Sequence, residues 1–80
     1  MNIEQLVRMA NDIGNFFRGE TREEEQIAGV VNHLRKFWDL RMRRQLVAHL
    51  GAGGEGLVEP ARSAVLVLAQ DSTAQFQSKT

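Results

Sequence analysis

Three arginines, one aspartate and the only tryptophan of the chain fall within the run Phe37-Trp38-Asp39-Leu40-Arg41-Met42-Arg43-Arg44. Guanidinium groups hold carboxylates through paired, charge-assisted hydrogen bonds, and Trp and Arg are enriched where protein interfaces concentrate their binding energy. These types therefore point to recognition of an acidic surface rather than to bond making. Asp39 has a local use, since its carboxylate can accept the free first-turn N–H groups of a helix running on through Leu46, Val47 and Leu50. Counted at about 100° per residue, Met42, Leu46, Leu50 and Val47 share one side of that helix, and Arg43 falls between Leu50 and Val47. An arginine inside an apolar stripe is expected not to be a free surface charge. Arg41 and Arg44 take the outer side, and Asp39 stands one turn before Arg43.

Catalysis would need a nucleophile, or a tuned acid and base, gathered in a pocket. His33, His49, Asp39 and the clustered Glu residues are each accounted for as caps or surface groups, so no catalytic residue is assigned. His33 sits at the edge of an apolar face beside Asn32, where a histidine serves as a surface or bridging group. No second ligand stands at a zinc-like spacing, so no metal site is expected. Gly51-Ala52-Gly53-Gly54-Glu55-Gly56 matches the spacing of the dinucleotide fingerprint, but that motif works only between a buried strand and a helix N-terminus. Here a basic helix precedes it. No cofactor is expected, and Gly51 reads as the left-handed residue that stops the preceding helix.

The elements that must position the arginine run follow from periodicity. Asn2 with Gln5 has capping-box spacing, and Ile3, Leu6, Val7, Ala10, Ile13, Gly14 and Phe17 recur at helical intervals, giving a first helix that ends near Gly19. Met9 and Phe16 widen its apolar sector to about half the circumference. Thr21 with Glu24 repeats the box for a second helix, whose buried face is Ile27, Val30, Val31, Leu34, Phe37 and Trp38. Asp39 alone joins it to the third. Pro60 suits the first position of a fourth helix with Leu57, Ala61, Ala64, Val65 and Leu68 along one side, while Leu66 and Val67 point elsewhere. The expected fold is all-α, a small bundle of three to four helices over residues 1–70 with a disordered C-terminal tail over 71–80.

A chain of 80 residues without cysteine builds a small core and often relies on a partner. Ten basic residues balance ten acidic ones, so no global field recruits nucleic acid or a membrane surface. The charge is polarised, however, with four Glu against Arg22 from Glu20 to Glu25 and five bases against Asp39 from Arg35 to Arg44. Two solvated helix ends of opposite sign would look the same. No stretch approaches the roughly 18 apolar residues of a membrane span, and the start carries no basic region ahead of an apolar one, which fits a cytoplasmic chain. A helix-turn-helix nucleic-acid module is the alternative, opposed by the short turn, the zero net charge and Asp39 beside the presumed reading helix.

Phe37 to Arg44, followed by Gln45-Leu46-Val47-Ala48-His49-Leu50 and Ala52-Gly53-Gly54-Glu55-Gly56-Leu57, resembles the delta subunit of NAD-dependent, molybdenum-containing formate dehydrogenase. Leu6-Val7-Arg8-Met9-Ala10-Asn11 with Ile13 and Phe16-Phe17, and Asn32-His33-Leu34, are similar to the same family, so the likeness spans residues 6–68. The chain departs from the pattern at Leu40, where a Pro usually follows Trp-Asp, and at Val58-Glu59-Pro60-Ala61, where Pro-Leu-Val is usual. The resemblance implies a small non-catalytic accessory subunit acting in assembly or stability. Its implied partners are the larger formate dehydrogenase subunits, chiefly the molybdenum-bearing one. The apolar residues outside the main helix faces, Met9, Phe16, Leu66 and Val67, lead instead to the expectation that the isolated chain is either a homodimer or marginally stable, and the balanced charge to the expectation of no nucleic acid or membrane partner. The residues expected to bind partners are Phe37, Trp38, Arg41, Arg43, Arg44, Met9, Phe16 and Leu66.

Overall fold

A computed structural model describes residues 2–78, and the side chains of residues 2–71. It contains α1 (Ile3–Phe17), α2 (Glu23–Phe37), α3 (Leu40–Gly51) and α4 (Ala61–Ser78), the all-α bundle that the periodicity predicts. The expected disordered tail over 71–80 falls, beyond Asp71, on residues whose side chains lie outside the described set. No helix among the described residues is long and apolar enough to cross a membrane.

The helix ends follow side-chain caps in two cases and backbone turns in two. Asn2 caps α1, its Oδ1 accepting from Gln5 N at 2.9 Å. Asp39 caps α3 in the same way, accepting from Met42 N at 2.9 Å. The capping box expected at Thr21 and Glu24 does not form. A turn from Phe17 O to Glu20 N brings the chain in so that Arg22 is the N-cap, without a side-chain cap bond, and Glu24 instead faces Arg22 Nη2 at 3.5 Å. Gln26 Nε2 closes this turn on Glu20 O at 3.0 Å.

At the end of α3 the expectation for Gly51 is corrected. Gly51 is still helical, and the positive φ values fall on Gly53, Gly54 and Gly56. The reason is a Schellman closure: Gly54 N donates to His49 O and Gly53 N to Leu50 O, which requires the left-handed residue two places later. Gly54 is further enclosed, since a Cβ there would lie 2.9 Å from Leu50 Cδ1 and 2.6 Å from Arg62 Nη1. Pro60, expected as the first residue of the fourth helix, stands one place before it, where its carbonyl accepts from Ala64 N at 3.1 Å.

The core is a ring of helices in the order α1, α2, α4, α3, each packed on its two neighbours. Although α2 and α3 are successive, they scarcely touch. Leu6, Ala10, Val30, Leu34, Leu46, Ala61, Ala64 and Val65 are fully buried, and burial of each large aliphatic side chain contributes about 1.5–3 kcal/mol. The stripe expected on the fourth helix, Leu57, Ala61, Ala64, Val65 and Leu68, is buried throughout. Gly14 lets α1 approach the start of α4, because a Cβ there would meet Ala61 N and Pro60 Cδ at 3.3 Å.

Candidate functional site

Two extended residues, Trp38 and Asp39, separate α2 from α3, rather than Asp39 alone. Leaving the helix at Trp38 turns its side chain inward, and Trp38 joins the core at 6% exposure. Phe37, still in helical register, is carried outward to 65% exposure. The expectation that both aromatics belong to the buried face therefore holds for Trp38 and fails for Phe37. The Phe37 ring tilts against His33, with centroids 4.7 Å apart, and Lys36 Nζ stands 5.6 Å from its centroid. His33 thus packs on an aromatic ring of its own helix.

Beyond this corner α3 sorts its arginines by helical position. Arg41 and Arg44 are exposed, while Arg43 is half-buried on the flank it shares with Val47 and Leu50. The Arg43 Nε is buried and has no hydrogen-bond partner among the described residues. Asp39 does not supply one: its carboxylate caps Met42 N, and the ion pairs found among the described residues are Arg22 with Glu24 and Arg35 with Asp71. A buried donor left unpaired costs about 1–3 kcal/mol, more when charged. Leu40, half exposed at the first position of α3, adds an apolar group beside the arginines. Its signal in the sequence is an apolar residue directly after the cap.

The remaining expected docking residues separate in space. Phe16 is 79% exposed and packs edge-on to Phe17, with ring centroids 5.0 Å apart. With Asp12, Ile13, Phe17 and His33 it lines an apolar groove between α1 and α2, so His33 both borders this groove and packs on the Phe37 ring. Met9 is half-buried against the core. Leu66 is 53% exposed. Its neighbour Val67 lines a groove with Ile27, Ala28 and Val31 of α2, so Leu66, about 100° further round, turns away from α2.

Sequence reasoning missed the residues that brace the loop between α3 and α4. Asn11 Nδ2 donates to Gly56 O at 2.8 Å, and its Oδ1 accepts from Val58 N at 3.1 Å. His49 Nε2 lies 2.7 Å from Glu55 O, and Arg18 Nη2 donates to Glu59 O at 2.6 Å. A single polar residue on a helix carries no pattern that announces such a bond. The glycine loop lies between two helices, α3 and α4, without the strand that a dinucleotide site requires. The helix-turn-helix alternative meets a similar obstacle, because α2 and α3 pack on α1 and α4 rather than on each other.

Over residues 5–65 the chain matches the family model described as NADH-dependent formate dehydrogenase delta subunit FdsD. No curated protein and no solved structure matches it.

Proposed function

The chain belongs to the NADH-dependent formate dehydrogenase delta subunit family, and from that membership we propose that it is a non-catalytic accessory subunit acting in the cytoplasm. It assembles or stabilises the larger subunits, chiefly the molybdenum-bearing one, by protein–protein binding. The observation that carries this reading is the unpartnered, buried Nε of Arg43, set in a helix whose other arginines, Arg41 and Arg44, are exposed. A carboxylate from a larger subunit would satisfy that group, with Leu40 and Phe37 supplying apolar contact around it. Trp38 acts from beneath, fixing the angle at which α3 leaves α2. Phe16 and Leu66, which lie apart from this patch, would make separate contacts with the larger subunits.

The test is capture of the larger formate dehydrogenase subunits by tagged chain carrying Arg41→Ala, Arg43→Ala or Arg44→Ala. If the Arg43 guanidinium is desolvated against a partner carboxylate, removing it leaves that acid unpaired and costs about 2–5 kcal/mol of binding. Arg41→Ala and Arg44→Ala should lose much less, as rim charges do. Equal retention by all three variants, with equal helicity, removes the junction as the docking site.

A further inference from the structure

The outer face of α2 carries charges that the fold leaves unused. Glu24 faces Arg22, and Arg35 is bound to Asp71. Glu25 and Lys36 are both exposed and form no ion pair among the described residues. They lie about three turns apart on the same side of the helix, roughly 16 Å along its axis. Between them the face presents the short side chains of Ala28 and Asn32, so nothing bulky holds another helix off. Along the edge next to α1 lie the exposed rings of Phe16 and Phe37, the latter packed on His33.

We propose that the isolated chain pairs with a second copy of itself across this face, the two α2 helices running antiparallel. A parallel pairing would set Glu23, Glu24 and Glu25 against the same acids of the other copy. The antiparallel one places Glu25 opposite Lys36 of the second copy, and symmetry forms that contact twice. The two-fold axis that reverses α2 keeps the α1 edge of one copy against the α1 edge of the other. In this register Phe37 of each copy falls opposite Glu24 of the other, at the rim of the contact. A second copy fits better than an unrelated apolar cover because it supplies both charges at the matching separation. Since Phe37 stands at this rim and also belongs to the surface offered to the larger subunits, self-association and docking compete there.

Sedimentation equilibrium of the isolated chain tests this without any formate dehydrogenase subunit, so its failure leaves the docking reading untouched. The wild-type chain should be a concentration-dependent dimer. Glu25→Lys and Lys36→Glu each turn two attractive contacts into repulsive ones and should raise the dissociation constant by about tenfold. The double variant Glu25→Lys with Lys36→Glu restores the pairing in reverse and should return to near the wild-type value. A monomer at all concentrations, single variants no weaker than wild type, or a double variant no tighter than the singles would each overturn the proposal.

Discussion

The ring of Phe17 lies where a side chain at position 29 would begin. A Cβ on Gly29 would sit 2.6 Å from Phe17 Cε1 and 2.8 Å from Cγ, so α1 and α2 meet through an aromatic face laid on bare backbone. In a free helix Gly→Ala gains about 1 kcal/mol, whereas forcing atoms into a packed contact costs about 1–3 kcal/mol. Gly29→Ala should therefore lower stability by roughly 1 kcal/mol net in urea unfolding. Gly51 makes the opposite case: it is helical, its φ is not positive, and a Cβ there meets nothing within 4 Å. Gly51→Ala should raise stability by about 0.4–1 kcal/mol. A loss at Gly51 would mean that the left-handed stop belongs there after all.

At the scale of elements, the loop from Ala52 to Pro60 is held by side chains that reach it from three helices. Asn11 of α1 satisfies Gly56 O and Val58 N, His49 of α3 contacts Glu55 O, and Arg62 of α4 reaches Gly53 O and Gly54 O at 3.3 Å. Asn11 makes both of its bonds far along the chain from itself, so it ties α1 to the entry of α4. Asn11→Ala should cost about 1 kcal/mol, because the two freed backbone groups are exposed and water replaces much of what is lost. The loss should appear as a lower melting temperature and as faster proteolytic cutting near Gly56. Unchanged cutting would show that Arg62 and His49 hold the loop alone.

For the whole molecule the balance rests on a few aliphatic side chains. Leu34 is fully buried within the core cluster, and truncating such a residue costs about 2–5 kcal/mol. Native domains are stable by only about 5–15 kcal/mol, with small ones at the low end. Leu34→Ala should thus leave much of the isolated chain unfolded at room temperature by circular dichroism. Arg35 stands one residue away but is bound to Asp71 with about two-fifths of its side chain exposed, and such pairs contribute at most about 1 kcal/mol. Arg35→Ala should stay folded. If the two variants melted alike, the core would not be where the burial places it.

What the sequence determined by itself was local and periodic. The caps at Asn2 and Asp39, the buried stripe of α4 and the placement of Arg43 against apolar neighbours all follow from 3.6-residue spacing and from which side chains can accept a helix's first N–H groups. Tertiary structure decided what spacing leaves open. Trp38 and Phe37 are adjacent and alike in hydrophobicity, yet the extended backbone at Trp38 sends one into the core and the other to solvent. Gly51 and Gly53 are equally permissive, and the Schellman hydrogen bonds selected Gly53. Thr21 had the better capping side chain, but the turn from Phe17 to Glu20 fixed the chain's entry and made Arg22 the cap. His33 and Phe37 share a face of α2 by their four-residue spacing, but Phe16 joins the groove that His33 lines only because α1 and α2 pack side by side. Such choices turn on backbone conformation, turn hydrogen bonds and packing between helices, which the spacing of side-chain types does not display.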